Sequence, residues 1–280
     1  MATLHAVVSN GTAGHWYRAD GTAAYEMPRK DGTGTRPTTL RDARTHGFLP
    51  SVTSVLGVLD RPQLTSWKLK NAVLAAAATP RGEGEEEAAW TDRVLAVAAQ
   101  PAADAADLGS RIHTAIENAV QGRDWDSATL GVFVAPVLGW LCSKTANGGK
   151  VLAQEEVVVD AVNGFAGRVD CVVEDAGGLV WVIDWKSRRT RPGESDKSAF
   201  EPYEGNRLQL AAYASHWAVG EGRGWENVRC ANVLTSSTEP GRFGVAVHDN
   251  PAEAWEAFKA VLALWRWSKG YDPRRKEVAE

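Results

Sequence analysis

Leu179-Val180-Trp181-Val182-Ile183-Asp184-Trp185-Lys186 decides how this sequence is read. An unbroken apolar run of this length, bounded by Gly177-Gly178, predicts a strand covered on both faces. The run ends in two charges. Side chains alternate along a strand, so Asp184 and Lys186 share a face.

Working outward, Phe165 to Glu174 reads as the preceding strand and carries Gly167-Arg168-Val169-Asp170. Val151 to Asp160 reads as the strand before it, with Asn163-Gly164 supplying the turn. A hairpin of the second and third strands brings Asp170 beside Asp184. Paired carboxylates repel, and partial burial raises the cost. A divalent cation removes that cost, and oxygen ligands suit Mg²⁺ or Mn²⁺. Lys186 adds a positive point charge that can orient a water or offset negative charge developing at a reacting centre. Phosphodiester hydrolysis needs both functions.

Beyond Lys186 lies a polar segment, 187–205, with Arg188, Arg189 and Arg191 at its start. A basic run beside a phosphodiesterase site predicts a grip on DNA phosphates, and Arg168 and Arg207 can join it. The length of this connection predicts a lid or substrate clamp. Arg207 to Trp217 is helical, with Gln209 and Tyr213 one turn apart on one face. Val228 to Leu234 and Arg242 to Val247 read as two further strands, and Ala252 to Lys269 as an amphipathic closing helix.

Upstream the character is helical. His15 to Glu26 predicts a hairpin about Asp20-Gly21. Short helices follow, one over Thr38 to His46 capped by Thr38 or Thr39, the next capped by Ser51. Longer helices are expected over Gln63 to Ala78, Glu85 to Gln100, Ala102 to Val120 and Ser127 to Lys144, with Pro101 dividing the second from the third. The third carries Gly109 and His113, with Glu117 one turn beyond His113. The expected organisation is a hairpin and helical region over 1–105, a core over 106–270 and a charged, frayed tail over 271–280. The fold class is α/β, a central mixed β-sheet flanked by helices behind a helical N-terminal layer.

Composition narrows the function. With 44% hydrophobic and 24% charged residues, the chain of 280 buries an ordinary core, and most of its 12 tryptophans are expected there. A formal net charge of −4 excludes a protein that coats nucleic acid through bulk charge, though not one with a local basic groove. Cys142, Cys171 and Cys230 form no CxxC pair, so no zinc ribbon or iron–sulfur cluster is expected. The sparse thiols predict a reducing, cytoplasmic setting. The first residues lack the pattern of a signal peptide, and the absence of 18 consecutive apolar residues predicts no membrane span. No Walker A motif is present, so no helicase motor is expected.

Together these residues resemble the RecB-like exonucleases of the PD-(D/E)xK nuclease superfamily, and Phe48 to Val73 also resembles the start of phage-encoded exonucleases of this group and of a related mitochondrial genome-maintenance exonuclease. That group shows GxxxH on a helix, an acid on the first strand, GxxD on the second, DxK on the third and QxxxY on a later helix. Here the order is Gly109…His113, Glu155 or Glu156, Gly167…Asp170, Asp184…Lys186 and Gln209…Tyr213, over residues 109–213. The resemblance implies a restriction-endonuclease-like core and a DNA exonuclease dependent on Mg²⁺ or Mn²⁺. Asp170, Asp184 and His113 would be metal ligands and Lys186 the catalytic lysine. Glu155 or Glu156 would be the first-strand acid, spacing favouring Glu155. Gln209 and Tyr213 would contact DNA or brace the lysine, and Glu117 would support His113. It further implies work on single strands or DNA ends in phage recombination or replication, in a host cytoplasm. Partners would be DNA and, among proteins, a phage single-strand annealing or binding protein.

Overall fold

A computed structural model describes residues 15–274. The expectations drawn from residues 1–14 and from 275–280 lie outside the described residues. Five strands form the central mixed sheet, in the order β5 (Lys150–Asp160), β6 (Phe165–Glu174), β7 (Val180–Arg188), β8 (Val228–Ser236) and β9 (Phe243–His248). Neighbours are antiparallel except β7 and β8, which run parallel. A parallel pair needs a long crossover, and here it contains α6 (Asp196–Ala199) and α7 (Glu204–Ser215), the latter closed by a π turn at His216–Gly220.

Both sheet faces are covered, which accounts for the unbroken apolar run of β7. On one side Val172, Val182 and Val228 pack with Leu210 of α7 and with Trp255, Phe258 and Leu262 of α8 (Pro251–Lys269). On the other, Cys171, Ile183, Trp185 and Val233 pack with Ile112 and Ile116 of α4 (Glu87–Val120) and with Val134 and Val137 of α5 (Ser127–Thr145). Alternation then places Asp184 and Lys186 on the Val182 face.

The N-terminal region packs onto the first side. Gly21, at φ 85°, makes the expected turn and Tyr17 bridges Ala23. The ladder partner of β1 (Trp16–Tyr17) is β4 (Leu49–Pro50), so the expected hairpin is confined to its turn. β2 (Glu26–Pro28) pairs instead with β3 (Thr35–Pro37). Thr39 and Asp42 form a capping box on α1 (Leu40–His46), and Ser51 caps α2 (Val52–Leu56), as the sequence predicts.

The largest correction concerns Pro101. α4 runs unbroken from Glu87 through Pro101 to Val120. A proline removes one intrahelical hydrogen bond but need not end a helix where water reaches the freed carbonyl. Gln100 Nε2 donates to Asp104 Oδ1 at 2.6 Å across this point. The N-terminal half of α4 pairs with α3 (Pro62–Ala78), which leaves Leu69 and Val73 64% and 69% exposed. At the other end Tyr271 is buried and its hydroxyl donates to Ala43 O and Phe48 O. α4 therefore spans the expected boundary at 105, and the segment after α8 begins as part of the packed body. One helix is membrane-like in composition. Ser127–Gly148 is long and apolar enough for a span. Its Leu130, Val134, Val137 and Leu141 are nonetheless buried in the second core, an arrangement that calls for apolar residues in any medium.

Candidate metal centre

Two glycines let the site close. A Cβ on Gly109 of α4 would stand 2.8 Å from Ser187 Oγ on β7, so glycine lets the helix carrying His113 approach the strand carrying Lys186. A Cβ on Gly167 of β6 would stand 2.7 Å from Cε1 of the buried Tyr213, so glycine there admits α7 against the sheet.

The sheet opens at the acidic residues. The β6–β7 ladder has its last pair at Cys171 and Ile183, so Asp170 and Asp184 are the next cross-strand positions. There Trp185 N donates to Asp170 Oδ2 at 2.8 Å, the carboxylate replacing a backbone acceptor. On the opposite flank Gln154 pairs with Cys171 and Glu156 with Val169, which sets Glu155 opposite Asp170. Glu155 has φ 50°, a left-handed conformation that costs a glutamate about 1–3 kcal/mol. That conformation breaks strand alternation. Gln154 Nε2 donates to Glu117 O, and Glu155 Oε1 also meets α4, 2.6 Å from His113 Nε2. Glu156 is exposed.

His113, Glu155 and Asp170 each present a ligand atom within 4.8 Å of the others, and His113 Nε2 lies 3.8 Å from Asp170 Oδ1. Asp184, expected as a metal ligand, is 1% exposed and stands beside this trio with both oxygens engaged. Lys186 Nζ donates to Oδ1 at 2.5 Å and Asn232 Nδ2 to Oδ2 at 2.6 Å. Burial, with the adjacent charge of Asp184, pushes the Asp170 carboxyl well above the usual carboxylate range. Burial alone would lower the Lys186 ammonium, but Asp184 and Asp170 outweigh it and raise it, so the lysine is a cation. For His113 burial likewise opposes protonation, and its bond to Glu155 with the charge of Asp170 prevails and raises its pKa. One nitrogen ligand, two carboxylates and an excess of buried negative charge fit a divalent cation.

Asn232 and His248 complete the row, and sequence reading missed both. His248 Nε2 lies 2.6 Å from Asn232 Oδ1. Because the Asn232 amide gives its N–H to Asp184, its oxygen must accept, so His248 carries its proton on Nε2. Burial first, then Arg207, holds His248 down to about 4, so it is neutral. The signal in the sequence was a lone amide in an apolar strand, Cys230-Ala231-Asn232-Val233-Leu234, which requires a buried partner.

The remaining expected residues separate. Arg168 is half exposed, with Nη1 3.8 Å from Glu155 Oε2. Gln209 Nε2 lies 3.5 Å from the Tyr213 hydroxyl. Arg189 and Arg191 are exposed, whereas Arg188 donates to Glu201 O and stacks over Tyr203 at 5.2 Å. Arg207 is tied to Asp249 O at 3.2 Å. The support expected from Glu117 is corrected. Its carboxylate turns to Arg123 at 2.6 Å, past the end of the helix, and His113 takes Glu155 instead. The segment after β7, expected as a lid, is pinned by Arg242, which binds Glu194 O and Asp196, and by Phe200, buried with Leu234.

The family model of the PD-(D/E)XK nuclease superfamily matches residues 120–265, a range holding Glu155, Asp170, Asp184, Lys186, Gln209 and Tyr213. The chain belongs to this superfamily. Its mixed five-strand sheet with flanking helices is the restriction-endonuclease-like arrangement of PD-(D/E)XK nucleases. Membership makes it a nuclease of a metal-dependent class, with DNA as the substrate. His113 and Gly109 precede the matched range, so the part of α4 that brings a nitrogen to this nuclease site lies outside it. A solved structure described as the crystal structure of SSO0001 is similar at 15% identity over 55% of this chain and 74% of that chain, with a TM-score of 0.27. A likeness that distant carries no argument about the nuclease. No curated protein matches the chain.

Proposed function

We propose that this nuclease is a Mg²⁺- or Mn²⁺-dependent DNA exonuclease acting on single strands or DNA ends. The observation that carries the reading is the cross-strand row Glu155, Asp170, Asp184, with Lys186 paired to the last of them. His113, Glu155 and Asp170 would hold the ion, with Asp184 beside them as a further carboxylate. When bound, the ion supplies a nucleophilic water near neutral pH and a counter-charge for the phosphate. The chain's residues do the rest. Asn232 holds Oδ2 of Asp184 and so fixes the carboxylate plane. Lys186, kept cationic, would offset the charge that develops on a phosphate oxygen beside Asp184. Arg168, Arg189 and Arg191 would hold flanking phosphates, and Gln209 and Tyr213 would set the strand against β6.

The motif order from GxxxH to QxxxY supports the exonuclease reading and a role in phage recombination or replication in a host cytoplasm. A single-strand annealing or binding protein would then be its partner. The test is purified protein with Mn²⁺ on linear and covalently closed single strands. Nucleotide release from the linear strand alone, stopped by EDTA and by Asp184→Ala or Lys186→Ala, is expected. A cut circle would replace exonuclease with endonuclease, and unchanged rates in both variants would remove the catalytic assignment.

A further inference from the structure

Beside the acidic row lies a cavity of about 340 Å³, within the size range of small-ligand sites. It is lined by parts distant in sequence, among them His15, Tyr17 and Tyr25 from the N-terminal segment, Arg168 from β6 and Gln209 from α7. The His15 and Tyr25 rings are stacked with centroids 4.6 Å apart. Tyr25 is held in place from below, its hydroxyl 2.6 Å from the hydroxyl of the buried Tyr17, whose ring meets it edge-on. His15 itself is exposed. Arg168 joins this cavity to the acidic row, through its approach to Glu155.

Stacked rings on a fixed base, with one cation and an amide at the rim, match the chemistry of a nucleotide. Any base can add to the stack through its π-face, the guanidinium meets a phosphate, and the amide meets a base or sugar edge. A base adds to that stack only through a free face, which a base stacked inside a duplex does not offer.

We infer that this cavity is a binding site for one unpaired nucleotide of DNA, next to the scissile phosphate. The inference rests on the nuclease reading and adds a requirement to it. The enzyme engages a strand only where a nucleotide beside the cut is single-stranded, and it does so without regard to base identity.

The test uses the full chain carrying Lys186→Ala with Mn²⁺, and again the unaltered chain in EDTA. Each is mixed with short single strands bearing 2-aminopurine at one position at a time. Fluorescence quenching confined to one position is expected, lost in Tyr25→Ala and retained in Tyr25→Phe, which keeps the ring. With the unaltered enzyme in Mn²⁺, an abasic residue at that position lowers kcat/KM by about 5- to 150-fold, and adds little to Tyr25→Ala. Quenching at no position, or undiminished quenching in Tyr25→Ala, overturns the proposal. Quenching without cleavage by the unaltered chain would sustain the cavity while removing the nuclease reading, so the two fail separately.

Discussion

Asp184 Oδ2 accepts the amide of Asn232 at 2.6 Å, from the neighbouring position on the parallel strand. This contact fixes a buried carboxylate that Lys186 holds from the other side. It also ties the site to β9 through His248.

Asn232→Ala leaves one oxygen of Asp184 without its donor. Groups that orient a metal site at one remove are worth about 10–100-fold in activity or metal affinity. We expect a fall in kcat of that size with KM for DNA little changed. Asn232→Asp places a second carboxylate against Asp184 and falls further. Steady-state kinetics across a Mn²⁺ titration decides this, and equal rates in all three proteins would assign Asn232 a purely packing role.

Metal binding should strengthen with pH. Burial and Asp184 raise the Asp170 carboxyl, so the metal competes with a proton that an ordinary aspartate would already have lost. The raised value also makes the metal-free protein less stable as pH climbs, because the buried Asp170 must then carry its charge beside that of Asp184. At a hundredfold excess over Kd, Mn²⁺ stabilises by about 2.7 kcal/mol. The Mn²⁺-induced rise in Tm is therefore expected to grow from acid to neutral pH, to reverse with EDTA and to shrink in Asp170→Asn. A pH-independent shift counts against this site.

His248 makes the opposite contribution. Its folded value, about 4, lies below the ordinary 6.5, so its stabilisation is present above the latter and lost as pH falls toward the former. The depression corresponds to about 3 kcal/mol. Urea midpoints at about pH 7 and about pH 5 should drop more for the native chain than for His248→Gln. Parallel drops would mean that His248 is not held neutral.

The two close-approach glycines should respond unequally to alanine. At Gly167 the new methyl meets the ring of Tyr213, which is buried and cannot move aside, and overpacking of this kind costs about 1–3 kcal/mol. At Gly109 it meets only the rotatable Ser187 hydroxyl, so a smaller loss is expected. Urea unfolding of both variants tests the order, and a larger loss at Gly109 would contradict the packing described for α7.

Strand identity was legible at β7 because burial on both faces writes an unbroken apolar run, and at Asp184 and Lys186 because alternation is local. The caps at Thr39 and Ser51 were legible for the same reason. Pro101 misled, since a proline's effect on a helix depends on what surrounds it. Glu117 misled too, because helical spacing brings it near His113 but does not say that Arg123 lies closer.

The sequence by itself determined the α/β layering, the strand that carries Asp184 and Lys186, and the pairing of that strand with Asp170. These follow from alternation, turn chemistry and hydrophobic pattern, all set by residues close along the chain. Only the tertiary structure decided that Glu155 rather than Glu156 meets His113, since that depends on one left-handed residue held by its surroundings. It alone placed Asn232 and His248 behind Asp184, and the His15–Tyr25 stack beside the acidic row. Those contacts join segments far apart in sequence, and only the packing of helices on the sheet brings them within bonding distance.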